Sequence, residues 1–182
     1  LTPLEGLYRE AQSWEALVDV LRQRAASQAT PEETARGLLE LSSVVEEHLR
    51  DEDGAVGALV EALALAPSNP TVIRHIAAFV ERRGADALSG PAGELVESVH
   101  AAARQGADWE TVLWAEETRL AQTEAPDEAL PLLLEIARIQ EEELCDAEAA
   151  FMSLERAFHI APIDETVDSR MARLAAEQGW WQ

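Results

Sequence analysis

Cysteine is nearly absent from this chain of 182 residues: Cys145 stands alone, so no internal disulfide framework holds the fold, and a reducing compartment suits it. Long apolar runs are missing too. No stretch approaches about 18 consecutive apolar residues, so no membrane span is expected within these residues, and no basic-then-apolar segment opens them. Basic residues are few: Asp and Glu outnumber Lys and Arg 35 to 14, a formal net charge of -21 at pH 7. That balance argues against affinity for a phosphate backbone and so against nucleic acid as a partner. Period-two alternation and β-branched enrichment are lacking, and no sheet is expected. What remains is 47% hydrophobic content, enough for a substantial core in one large domain or two small ones. The chain opens on Leu1 rather than Met, which reads as a piece of a longer protein, and a cytoplasmic location is expected.

The strongest positive signal is a repeat, and repeats decide a fold before individual elements do. Shifting the chain by 95 residues aligns 14–67 with 109–162 without a gap, and 18 of those 54 positions are identical. Trp14/Trp109, Pro31/Pro126, Leu39/Leu134, Glu46/Glu141, Leu49/Leu144 and Asp51/Asp146 are among them. A second shift, of 72, places Leu4, Leu7, Tyr8 and Gln12 on Ile76, Phe79, Val80 and Gly84, and Trp109 on Trp181. We take 72 as the period and 95 as that period plus an insertion of 23.

Capping chemistry divides the chain into about ten helices. Thr2 and Pro3 open a short one with Leu4, Leu7 and Tyr8 on one face. Ser13 caps the next, with Trp14, Leu17, Val18 and Leu21 at i, i+3, i+4 and i+7. Thr30-Pro31-Glu32-Glu33 is a capping box, and Asp51 and Asn69 start two further helices, the last ending at Gly84. Residues 85–107 are irregular, with a loop, Pro91 as a first helical residue and one helix stopping at Gly106. The earlier pattern then resumes from Asp108, Pro126, Asp146 and Asp164. The organisation expected is one helical repeat domain over 1–182, with a first block at 1–84, an insertion carrying one extra helix at 85–107, and a second block at 108–182. A stack that alternates its helices must either swap its alternation at that odd helix or let it fold aside.

Ala55, Leu59, Ala62 and Pro67 recur as Ala150, Leu154, Ala157 and Pro162. This spacing resembles the second helix of tetratricopeptide repeats, of the bacterial type with paired units of about 72 residues. The first helix of that unit wants large, large, small, large. Leu38, Leu41, Ser42 and Val45 supply it, as do Ile73, Ile76, Ala77 and Val80. Leu133, Ile136 and Ala137 fit, whereas Gln140 departs, and the match needs one extra residue before Asp51 and Asp146. The resemblance implies an all-α α-solenoid of antiparallel helix pairs, a right-handed superhelix whose concave wall receives a segment of a partner protein. Carried over by motif, that wall would include Arg36, Leu39, Glu40 and Ser43, then Arg74, His75, Ala78 and Arg82, then Leu134, Glu135 and Arg138. The family's carboxylate clamp wants Lys and Asn at such places, and Leu39, Glu40 and Ser43 stand there instead, so recognition of a peptide C-terminus is not implied. Arg74, Arg82 and Arg83 form a local basic concentration, suited to an acidic partner residue. The second reading is a self-assembly or spacer element that stacks through its open helical ends into a homo-oligomer.

No residue pattern points to chemistry. His48, His75, His100 and His159 fall on four different helices, never three or four apart, and Cys145 has no cysteine partner, so no metal or cofactor is expected. Gly-rich phosphate loops are missing, and Gly84, Gly90, Gly93 and Gly106 read as helix stops and loop residues. No nucleophile or paired-carboxylate motif singles out a catalytic residue, so an enzyme is not expected. Glu46 and Glu47, with Glu141, Glu142 and Glu143, make a recurring acidic ridge at a helix C-terminus, where the dipole disfavours them. It reads first as a solvated face and second as a site for a basic segment or divalent cation. Trp14 and Trp109 read as core anchors, Trp114 as an exposed residue, and Trp180-Trp181 as a partly uncovered end.

Overall fold

The computed structural model describes residues 3–83 and 91–180, and among them the regular elements are all helical, ten α-helices with no strand. Thr2, Gly84, the loop at 85–90 and Trp181, each given a part above, lie outside the described residues. The chain divides into two compact units, Leu1–Gly106 and Ala107–Gln182. The first holds α1 (Pro3–Glu10), α2 (Trp14–Ala26), α3 (Pro31–Val44), α4 (Glu52–Leu65), α5 (Pro70–Arg83) and α6 (Pro91–Gly106). The second holds α7 (Trp109–Ala121), α8 (Pro126–Arg138), α9 (Ala147–Ile160) and α10 (Glu165–Gln178). Helices α2 to α5 repeat as α7 to α10 at the 95-residue spacing, and α6 is the extra helix, packed on α4 and α5.

Side-chain caps set most helix starts. Thr30 accepts from the Glu33 amide at 3.2 Å, Asp51 from Gly54 at 2.9 Å and Asn69 from Thr71 at 2.9 Å. Asp108, Asp146 and Asp164 do the same for Thr111, Ala149 and Thr166, at 3.3, 2.9 and 2.8 Å. Ser13 makes no such bond, so α2 begins without the cap expected of it. At the far end Gly179 adopts the left-handed conformation, φ 69°, that closes α10.

The small-large-small pattern marks the centre of each unit. Ala55, Leu59 and Ala62 are fully buried, and so are Ala150, Leu154 and Ala157. Short side chains at a crossing let helix axes approach, and the leucine then fills the space between neighbours. Elsewhere the two copies pack differently. A Cβ on Gly37 would lie 3.1 Å from the Ala25 Cβ, so α2 and α3 touch closely there, whereas the repeat places Leu120 and Leu132 at the equivalent positions. Gln140, the departure from the family pattern, is buried and accepts a 2.7 Å hydrogen bond from the buried Ser153 hydroxyl. Its counterparts are Val45 and Ala58, so an apolar pair in one unit is a satisfied polar pair in the other.

The extra residue before Asp51 and Asp146 is absorbed as π-helix. Helix α3 runs into a π-helical turn, Val45–Leu49, and α8 into another, Ile139–Glu143. Arg50 and Cys145 follow in the left-handed region, φ 53° and 56°. Gln12 and Ala107, both at φ 54°, form a second such pair at the same 95-residue spacing, so the duplication extends to the backbone breaks. An L-residue with a Cβ costs about 1–2 kcal/mol in that region. Arg50→Gly and Cys145→Gly are therefore expected to raise stability by about 0.5–1 kcal/mol each, the remainder being offset by the larger unfolded-state entropy of glycine. Urea titration reads this directly, and a lower midpoint in both variants would contradict it.

Helix α1 reverses its expected orientation. Leu4 and Leu7 are 54% and 60% exposed, while Glu5 between them is fully buried. An ionic clasp sets this: Arg24 reaches Glu5 at 2.9 Å and also meets Glu40, which Arg9 bonds at 2.7 Å. Trp14 and Trp109 are half-buried rather than central. Trp14 lies flat on His48, with ring centroids 3.5 Å apart, and Trp109 lies under the Arg138 guanidinium. Trp114, expected in solvent, is half-buried as well.

Candidate partner-binding face

In the first unit the motif-derived residues lie on α3 and α5, which pack against each other. They are not equally available. Leu39 is buried, and Ser43 and Ala78 are half-buried. Glu40 is held by Arg9 and Arg24, and Arg82 bonds Glu46 at 2.7 Å. Arg36 and Arg74 are exposed, and neither has an ion-pair partner among the described residues. Arg36 borders an open cavity of about 330 Å³ with Arg24, Gln28, Glu33, Gly37 and Glu40. In the second unit Leu134, Glu135 and Arg138 are neighbours on α8. Arg138 forks onto Glu135 at 2.9 and 3.0 Å and reaches Glu142 and Glu143 at 3.3 and 3.2 Å.

Part of the acidic ridge is tied down: Glu46 and Glu141 hold arginines of other helices, while Glu47, Glu142 and Glu143 are exposed. Glu46 receives Arg82 and, at 3.7 Å, Arg83, which also meets Glu52 and lies over the Phe79 ring. Glu141, its repeat counterpart, receives Arg170 at 3.3 Å and Arg173 at 2.5 Å. In both units the carboxylate in the π-helical turn is thus tied to the helix after next, α5 or α10. The sequence contains no lysine, all 14 cations being arginine, and the guanidinium's planar fork of donors suits a span across two carboxylates, as Arg83 makes between Glu46 and Glu52. Glu46, Glu141, Glu142 and Glu143 each have a cation beside them, which offsets the unfavourable dipole at those places. Hydrogen bonding to Glu135 raises the Arg138 pKa well above its usual range against the opposing effect of burial, and Glu141 raises that of Arg173 in the same way. Among the described residues no group of three or more His, Cys, Asp or Glu side chains is placed to hold a metal ion.

His75 is the titratable member of the face. Its Nε2 lies 3.3 Å from the Ser43 hydroxyl and 3.4 Å from that of Ser42. Burial and the nearby Arg82 charge push its pKa below the ordinary 6.5, against a smaller opposing pull from Glu46. The unfolded chain then binds the proton first as pH falls, so the neutral histidine's contribution is complete above about pH 6.5 and is lost below it. His75→Gln should flatten the stability curve below about pH 6.5 relative to the parent chain. Parallel pH curves for the two would contradict this.

Two units that repeat a four-helix arrangement, with matching caps at Asp51 and Asp146 and at Asn69 and Asp164, matching π-helical turns and a glutamate–arginine strap from each turn, define an α-helical repeat protein. No family model matches the chain, and no curated protein matches it.

Proposed function

We propose that this chain is a non-enzymatic protein-interaction module that holds a segment of a partner protein against the faces of α3 and α5 in the first unit. The observation that carries this reading is the contrast between Arg74 and its surroundings. Arg82, Arg83, Glu40 and Glu46 are all committed to one another or to neighbouring helices, while Arg74 is exposed on the same helix as His75 and has no counter-charge among the described residues. In a chain of net charge -21 a solvent-facing cation kept clear of carboxylates suits a carboxylate brought by a partner. The likeness of the small-large-small helices to tetratricopeptide repeats supports a stacked, solenoid arrangement with such a face.

The test uses labelled peptides that carry one Asp or Glu flanked by apolar residues, titrated against the chain at low salt. Arg74→Glu should weaken the best binder at least tenfold while leaving the circular dichroism spectrum unchanged. Arg82→Glu is the poorer probe, because it would set a second carboxylate against Glu46. Equal affinity for Arg74→Glu and the parent chain would remove this face from consideration.

A further inference from the structure

The repeat gives the strap of the first unit an internal reference. In the second unit Glu141 is held by Arg170 at 3.3 Å and Arg173 at 2.5 Å, and Arg170 also donates to the Leu134 carbonyl at 3.2 Å. Arginine side chains stay charged at every ordinary pH, so that strap is permanent. At the 95-residue spacing the same places in the first unit hold Glu46, His75, Ala78 and Leu39. A histidine stands where one permanent cation is, and an alanine where the other is. Glu46 is held instead from a turn further along α5, by Arg82 at 2.7 Å and Arg83 at 3.7 Å. The Leu39 carbonyl is occupied as well, since the Ser42 and Ser43 hydroxyls donate to it at 2.8 and 3.2 Å. Their oxygens therefore accept from His75 Nε2, at 3.4 and 3.3 Å, which places the proton of the neutral ring on Nε2 and leaves Nδ1 to take a second one. Helices α3, α4 and α6 pack against α5, and the charges that shift the ring are Arg82 of α5 itself and Glu46 in the π-helical turn after α3. Glu52 of α4 is taken by Arg83, and Glu94, Glu97, His100 and Arg104 of α6 are not among the charges that shift it. Arg82 repels a proton on His75, and by reciprocity that proton loosens Arg82. Of the two arginines on Glu46, Arg82 is the readier to leave. Its side chain is 51% exposed, whereas that of Arg83 is 25% exposed, is bonded also to Glu52 and lies over the Phe79 ring.

We propose that His75 is a proton-operated switch on the α3–α5 face: once protonated, its ring takes over the hold on Glu46 that Arg170 has on Glu141, and Arg82 is released to solvent on the same helix as Arg74. One proton passes from water to Nδ1, and one ion pair replaces another. Acidification thereby adds a second uncommitted guanidinium to the face, just over two turns along α5 from Arg74. The use of that guanidinium by a partner carboxylate rests on the partner-binding reading of this face, whereas the exchange of Arg82 for His75 does not.

Nitrogen NMR of the arginine Nε atoms between about pH 7.5 and 5 tests the exchange on the whole chain without any partner. The Arg82 signal, assigned from its loss in Arg82→Gln, should move to the position of a free arginine with the same midpoint as the His75 ring titration. In His75→Arg it should stand at the free position already at about pH 7.5. An Arg82 signal that ignores the His75 titration, or that His75→Arg leaves in place, overturns the switch. In a second arm, peptides carrying one Asp flanked by apolar residues are titrated at low salt at the two ends of that range, where an Asp of ordinary pKa about 3.9 stays ionised. Affinity should rise about threefold or more on acidification in the parent chain and stay flat in His75→Gln. A flat parent response alongside a confirmed exchange overturns the regulation of binding, as does an equal rise in His75→Gln. Binding of no acidic peptide at either pH removes the partner-binding reading instead, and the NMR arm then decides the switch by itself.

Discussion

Leu154→Ala should lower the unfolding free energy of the second unit by about 2–5 kcal/mol, and Leu59→Ala that of the first by a similar amount. Both leucines are fully buried. Their immediate helix neighbours, Ala150 and Ala157 or Ala55 and Ala62, have no side chain long enough to move into the space left behind, so the cavity persists and the cost sits above bare transfer. Leu154 belongs to a cluster with Ala137, Ala150 and Leu174, bordered by Leu134, Phe151 and Met171, and only the bordering residues have freedom to relax inward. Val60→Ala on the same helix as Leu59 is the control: Val60 is 40% exposed and should cost below about 0.5 kcal/mol. The inverse change, Ala62→Leu or Ala157→Leu, overpacks the crossing and should cost about 1–3 kcal/mol. Denaturant midpoints left unmoved by Leu59→Ala and Leu154→Ala would show that the packing assignment is wrong.

Arg24→Ala should cost about 3–5 kcal/mol if α1 stays docked, because it removes a cation from beside the fully buried Glu5 carboxylate. Burial works against the Arg24 charge, yet Glu40 and Glu5 together raise its pKa, so the guanidinium stays charged throughout and no pH change releases the clasp from its side. A short terminal helix offers an escape: α1 can undock and return Glu5 to water, which limits the global loss to whatever α1 contributed. Hydrogen exchange therefore discriminates better than a midpoint, since α1 amides should lose protection in Arg24→Ala while α3 and α4 keep theirs. Adding Glu5→Leu to Arg24→Leu should restore protection, because an apolar pair at the same place needs no counter-charge. Full α1 protection in Arg24→Ala would mean the clasp does not hold the helix.

Much of the helical layout was legible because capping and periodicity are local. Thr30, Asp51, Asp108, Asp146 and Asp164 announce helix starts through atoms within three residues, and the fold uses every one. Ser13 has the right side chain and makes no bond, so composition alone overstates a cap. The π-helical turns had a trace in the sequence, one residue too many before Asp51 and Asp146, yet a spare residue can equally lengthen a loop. Arg50 and Cys145 are also not residues whose identity advertises a left-handed backbone. The candidate face was legible as a set of helix positions and no further. Nothing local tells Arg74 from Arg82, and what separates them is Glu46, 36 positions from Arg82 in sequence and 2.7 Å from it in space.

The sequence by itself determined an all-helical chain, its duplication, and the alanines and leucines that meet at the centre of each unit, because these follow from spacing along one helix and from volume. Only the tertiary structure decided which charges are spent and which apolar faces are left over. Leu4, Leu7 and Tyr8 carry the pattern of a core face, yet Leu4 and Leu7 lie outside because Arg24, itself held by Glu40, offered Glu5 a partner that no reading along the chain could supply. Phe151 and Met171 hold the places of the buried Val56 and Ile76 at the 95-residue spacing and are half-buried, because burial depends on what packs against a helix, and α6 packs on α4 and α5.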